Sequence, residues 1–297
     1  MSNRDIAAEV TEKILAELDK GTVPWRRPWT RSANGDYGQR NLQSKKPYRG
    51  INQFLTEITA ATAGYPDPYW TTFRAAKKAG GQVRKGEKGT LVVFWKRIRI
   101  KEKDPATGKT TVKMIPLLRH YVVFNVAQCD GLAVPSTDPI DVPDPVPTID
   151  AGEAIIAGMD DCPPISHGGD RAFYSPIADR IQLPNRDDFV TAAAYYGTAL
   201  HEIVHATGHS SRLDRKLDSR LAPFGSPDYS KEELIAELGA SMLCGSAGID
   251  PDFPQSAAYI DSWRRKLRGD KKLILTAAAK AQRAMDYVLG VKFPDAD

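Results

Sequence analysis

Between Val134 and Asp150 the chain reads VPSTDPIDVPDPVPTID, with prolines at 135, 139, 143, 145 and 147. Each proline fixes φ and removes a backbone donor, so neither a helix nor a central strand runs through this spacing. The segment predicts an extended, acidic, semi-rigid linker at 131–150 between domains at 1–130 and 151–297. The flanks differ in charge. Residues 1–130 hold 24 Lys+Arg against 12 Asp+Glu, a net of +12; residues 131–297 hold 17 against 25, a net of −8. The total of +4 hides that split. Two halves of opposite charge imply two different tasks.

Several classes are excluded. Cys129, Cys162 and Cys244 are odd in number and far apart. They build neither a disulfide framework nor a CxxC zinc ribbon, and they fit a reducing cytoplasm. No apolar run approaches the ~20 residues of a membrane span. The start of the chain, charged at Arg4, Asp5 and Glu9, has no signal-peptide pattern.

In the first half, Ile6, Val10, Ile14 and Leu18 recur every four residues and predict a helix over 4–20, stopped by Gly21. Residues 25–50 read as loop, and 52–62 and 72–79 as helices. Strands are predicted at 90–100, 110–118 and 119–126. The first two form a hairpin around Asp104-Pro-Ala-Thr-Gly108. This half is therefore α+β with an antiparallel sheet. The second half is predicted to be mainly helical with a small sheet. Its helices are placed at 151–159, 187–207, 230–244, 257–267 and 271–289. A strand pair lies within 171–183, with 180–183 as its best strand.

His201-Glu202-Ile203-Val204-His205 is an HExxH pattern inside a predicted helix. Residues i and i+4 share a face about 6 Å apart, so two imidazoles can grip one Zn²⁺, or another divalent ion, per chain. Glu202, one step round, is placed to act as general base rather than ligand. A third ligand is needed. His209 follows Gly208 but continues along the axis, away from the first two unless the chain turns sharply. Glu233 and Glu237 are again i and i+4, on a face that continues through Ala240, Ser241 and Cys244. The preferred assignment is Glu233 as ligand and Glu237 behind a histidine; the reverse, and a capping box of Ser230 with Glu233, are the alternatives. Strand 180–183 is positioned to pair with an extended peptide. Tyr174, Tyr229 and His167 are candidates for steadying an oxyanion.

The basic half interleaves aromatic and cationic residues, the two ingredients of single-stranded nucleic-acid binding. Candidate contacts are Trp25, Arg26, Arg27 and Trp29; Tyr48, Arg49 and Asn52; Lys77 and Lys78; Arg84, Lys85 and Lys88; and Lys96 and Arg97. Trp70, Phe73 and Trp95 sit in periodic apolar patterns and read as core. The row Lys96, Arg97, Arg99, Lys101, Lys103 reads as a solvated hairpin face.

Four blocks carry a family resemblance: Val23-Pro-Trp-Arg-Arg-Pro-Trp29, Tyr48-Arg-Gly-Ile-Asn52, Gly80-Gly-Gln-Val-Arg-Lys-Gly-Glu-Lys-Gly89 with Val93-Phe-Trp95, and Val123-Phe-Asn-Val-Ala-Gln-Cys129. They resemble the N-terminal domain of the ArdC antirestriction proteins and of TraC-type plasmid primases. The second half, with His201-Glu-Ile-Val-His-Ala-Thr-Gly-His209, Arg212-Leu213 and Glu232-Glu-Leu-Ile-Ala-Glu-Leu-Gly239, is similar to the zincin-like metallopeptidase domain that follows in ArdC. The resemblance implies a factor that binds single-stranded DNA without sequence preference, with double-stranded DNA as a further partner. It implies protection of incoming conjugative plasmid DNA from host restriction. It also implies a gluzincin-like zinc peptidase site whose peptide or protein substrate is unknown. Primase activity does not carry over. Two other readings remain: a DNA-shielding protein whose metal domain is structural, and a metalloprotease acting on a DNA-bound host protein.

Overall fold

The computed structural model describes residues 5–26, 38–103, 110–135, 148–217, 227–250 and 257–291. Apolar residues four apart build the first helix, α1 (Ile6–Asp19), which buries Ile6, Val10, Ile14 and Leu18. Asp5 caps it by accepting from the Ala8 amide at 3.0 Å, and Gly21, at φ +77°, lets the chain turn away. After β1 (Arg40–Asn41) comes α2 (Ile51–Ala63), then β2 (Tyr69–Thr72), α3 (Phe73–Lys78) and β3 (Gln82–Val83).

β4 (Thr90–Lys103) and β5 (Thr110–Asn125) form a long antiparallel pair in register from Thr90 opposite Val123 to Lys103 opposite Thr110. The two strands expected at 110–118 and 119–126 are thus one strand of 16 residues. Nothing at the Leu118–Arg119 junction carries turn chemistry, and Pro116 is tolerated where the described strands leave the far edge of β5 unpaired. The sheet order is β1-β2-β5-β4. It is antiparallel except for the two-residue parallel pairing of β1 with β2, so it is mixed at that edge. β3 pairs separately with β6 (Cys129–Asp130).

The second half opens with α4 (Thr148–Ala157), which takes up the last residues assigned to the linker. Residues 136–147 of that linker lie outside the described residues. A small sheet follows, of β7 (Ile165–His167), β8 (Phe173–Ser175) and β9 (Arg180–Leu183), in the order β7-β9-β8. β9 is therefore central, with both edges occupied, and cannot pair with a peptide as the sequence suggested. The long helix expected at 187–207 is shorter. Residues 186–188 form a 3-10 turn, and α5 (Ala192–Ala206) begins only after Thr191, whose hydroxyl accepts from the Ala194 amide at 3.1 Å. α6 (Pro227–Ala247) is packed by α4, α5 and α8 (Leu273–Val288), with α7 (Ala257–Gly269) before α8. Its middle is buried almost all round, from Leu234 to Cys244.

One apolar cluster runs through both compositional halves. It joins Ile14, Trp25 and Phe54 to Trp263, Leu267 and Ile274. Trp25 packs edge-on against Trp263 with ring centroids 6.1 Å apart. Polar ties cross the same boundary. Thr11 donates to the Lys271 carbonyl at 2.8 Å, the Gly50 amide donates to Gln282 at 2.8 Å, and Arg49 pairs with Asp286. No helix among the described residues is long and apolar enough to cross a membrane.

Candidate metal centre

α5 carries His201 and His205 one turn apart, with their Nε2 atoms 3.1 Å from each other. Glu233 on α6 faces both. Its Oε2 lies 3.6 Å from His201 Nε2, and its Oε1 lies 3.4 Å from His205 Nε2. The three donors lie within 4.8 Å of one another and are partly open to solvent. Two imidazoles and a carboxylate are the donor set of a catalytic zinc-type site with room for a further ligand. The approach of α6 depends on Gly239. A Cβ there would meet Val204 Cγ1 of α5 at 2.8 Å, so only glycine lets the helices come this close. Glu202 is buried beside the histidines on α5, at 7% exposure.

Glu232, which no spacing in the sequence singled out, stands behind His205: its Oε1 is 3.4 Å from Nδ1. The place of a carboxylate behind a histidine is thus taken at His205 by Glu232, while Glu237 lies partly buried one turn further along α6. Glu232 is itself held by Arg215, at 2.6 Å, whose guanidinium also donates to Thr207 Oγ1 and the Val204 carbonyl, each at 2.7 Å. This chain fixes the ring and its basicity. Burial alone would strip the proton from His205, yet Glu232 and Glu233 outweigh it and push the imidazole up to about 10. Burial likewise disfavours the charged Glu232, but His205 and Arg215 bring it down to about 2. Glu233 lies well below the usual carboxylate range; burial works against this, and the two imidazoles prevail. A pocket that stabilises a proton on these nitrogens so strongly suits a cation.

The neighbouring candidates are committed elsewhere. His209 Nδ1 is 2.8 Å from Ser211 Oγ and 3.9 Å from Asp179, so it does not join the cluster. The Tyr174 hydroxyl donates to Asp179 at 2.7 Å and accepts from Arg212 at 3.3 Å. His167 Nε2 bonds the Tyr195 hydroxyl at 2.8 Å. The side chain of Tyr229 lies outside the described residues.

The proposed DNA contacts separate into three groups. Trp25 is 1% exposed, a core residue rather than a stacking platform. Asn52 holds the backbone of Val93 by two bonds of 2.7 Å, and Arg49 pairs with Asp286, so both serve structure. Tyr48 packs half-buried against the cluster of Trp70, and burial pushes its phenol up to about 12. Arg84 bonds Glu87 at 3.0 Å and the Ala127 carbonyl at 2.5 Å. Lys77, Lys78, Lys85, Lys88 and Lys96 are exposed. Arg27 and Trp29, and the side chains of Arg26 and Arg97, lie outside the described residues. Of the aromatics read as core, Trp70 is buried, but Phe73 and Trp95 are exposed.

Comparison with known proteins matches this architecture in both halves. Residues 4–124 match the family model of the N-terminal domain of anti-restriction factor ArdC, and residues 152–280 that of a zincin-like metallopeptidase. The antirestriction protein ArdC of plasmid R388, in its metal-free structure, is 42% identical with a TM-score of 0.73, over 96% of this chain and 97% of that one. Its Mn(II)-bound structure is 41% identical with a TM-score of 0.75, over 97% and 98%. The uncharacterized protein y4eC of Sinorhizobium fredii is 37% identical over 290 residues, 96% of this chain and 91% of that protein. Two DNA primases TraC of Escherichia coli are 40% and 38% identical over nearly the whole of this chain, which spans only 27% and 19% of their length. With both halves and their order shared along its whole length, the chain belongs to the ArdC antirestriction family.

Proposed function

We propose that this protein is a cytoplasmic antirestriction factor that binds DNA, single strands above all, and carries a metal-dependent peptidase site. In this reading it protects incoming conjugative plasmid DNA from host restriction. The observation that carries the enzymatic part is the convergence of His201, His205 and Glu233, with Glu202 buried beside them. These three residues hold one Zn²⁺ per chain, or another divalent ion in its place. Such a cation supplies Lewis acidity toward a peptide carbonyl and toward water. Glu202 takes a proton from the attacking water on its carboxylate and returns it to the leaving amine. Glu232 keeps His205 in one orientation by accepting from Nδ1. Lys77, Lys78, Lys85, Lys88 and Lys96 supply exposed positive charge for phosphates.

The test is a Glu202→Gln variant assayed three ways: metal content, peptide hydrolysis and plasmid survival in a restricting host. The expected result is retained metal with loss of hydrolysis and of protection. Retained protection would favour the second reading, a DNA shield whose metal site is structural. Its support is the recurrence of both halves inside proteins named DNA primases.

A further inference from the structure

We propose that the outer part of the β4–β5 ribbon is the surface on which single-stranded DNA lies, with the Phe94–Tyr121 pair as its base-stacking platform. The proposal rests on the DNA-binding reading above and gives it a place. β2 flanks β5 only from Val123 to Asn125, and Asn52 covers the free edge of β4 at Val93. Beyond those points no further strand flanks the described ribbon, whose other face still packs on the body at Leu118. Phe94 and Tyr121 lie diagonally on one face, their rings 4.8 Å apart and 7° from parallel. Tyr121 is 57% exposed. By the strand register Arg119 sits opposite Phe94, and Lys96 follows two residues on, so two cations adjoin the stacked rings on their outer side and on the same face. The other face carries Trp95, 48% exposed, with Arg99 four residues further along the strand.

Two observations favour a polyanion over a protein as the occupant. Over β4 and β5 the sequence places seven Lys and Arg against one carboxylate, Glu102. Lys96, Arg99 and Arg119 make no ion pair among the described residues, whereas Arg49, Arg84 and Arg264 each hold a carboxylate. Protein interfaces exclude lysine from their centres, while single-stranded DNA requires ring faces and cations together. Alternation places like-facing residues about 6.7 Å apart along a strand, a repeat comparable to that of neighbouring phosphates on one extended strand.

The experiment uses the full chain, fluorescein-labelled oligothymidylate and fluorescence anisotropy across a salt series, with sedimentation and thermal melting in parallel. Tyr121→Ala and Trp95→Ala should each weaken binding roughly five- to hundredfold, and Tyr121→Phe should restore it. Replacing Lys96 and Arg119 by Gln should flatten the salt slope by about 0.7 for each phosphate no longer neutralised. The charge-matched pair Lys280→Gln and Arg283→Gln, exposed on α8, should leave both values unchanged. Unchanged melting points would show that these variants fold. If wild type binds but no ribbon variant changes its affinity, the placement is overturned and the DNA-binding reading stands. If wild type does not bind the oligonucleotide at low salt, both fall. Equal affinity for blunt duplex with no loss in Tyr121→Ala would also overturn it, as would ribbon variants that only dissociate a dimer.

Discussion

At the scale of the residue, the candidate metal centre shows how far spacing reaches. His201, His205 and Glu233 were accessible because i and i+4 positions share a helix face, and a carboxylate on a second helix is the simplest third ligand. Glu232 was not accessible. A residue next to a ligand lies about 100° round the helix, and its contact with His205 depends on how α6 is rotated against α5. Arg215, which holds Glu232, comes from outside any helix. Glu232→Ala should therefore lower metal affinity by about 10- to 100-fold, as loss of a partner behind a ligand does, while Glu232→Gln, which can still accept from Nδ1, keeps more of it. Competition with a chromophoric chelator measures both. Asp179 gives a pH test of a different kind. Burial favours its neutral form, but Arg212, itself only 2% exposed, and Tyr174 keep the carboxyl below its ordinary 3.8. Its folded value thus lies under its unfolded one, so the stability it adds is full above pH 3.8 and is lost as pH falls through the folded value. Asp179→Asn, which tolerates the local φ of +44°, should cost about 1–3 kcal/mol at neutral pH. Melting curves at pH 7 and pH 3 should show the gap from wild type narrowing in acid.

At the scale of the element, Gly239 and Asn52 do the positioning. Gly239→Ala puts a methyl against Val204, a stiff and fully buried side chain, and should destabilise the protein by about 1–3 kcal/mol. It should also weaken metal binding, because Glu233 rides on the displaced helix. Val204→Ala in the same chain should restore part of both losses, which denaturant unfolding and the chelator assay would register. Asn52 satisfies the Val93 N–H and C=O as a neighbouring strand would, and so closes the edge of β4 where the ribbon leaves the body. The helices were legible from apolar periodicity to within a few residues at each end, apart from the late start of α5. The strands were less so. Apolar alternation carries no sign of continuity across Leu118–Arg119, so the sequence alone reads β5 as two strands. β7, three residues long with no alternating pattern, leaves no trace in the sequence, so nothing there shows that it occupies the edge of β9.

At the scale of the whole molecule, composition and packing divide the chain differently. The charge split and the proline run were plain in the sequence. That Trp25 would pack on Trp263, or that Gly50 would donate to Gln282, was not, because the faces that meet are far apart in the chain and each reads as an ordinary amphipathic surface. With one apolar cluster through both halves, thermal unfolding should be a single calorimetric transition at any metal concentration. Trp263→Ala should lower stability by about 3–5 kcal/mol and shift the loss of β4–β5 structure and of metal binding together. Two separated transitions would show that the halves fold independently.

The shared core also has a bearing on how long the protein survives in a cell. If the halves open only together, a cation gripped by α5 and α6 draws the population away from every open form, by RT ln(1 + [L]/Kd). Cleavage by housekeeping proteases follows the fraction of molecules that are open. Metal supply would then set the lifetime of the basic half as well, although none of its described residues belongs to the candidate metal cluster.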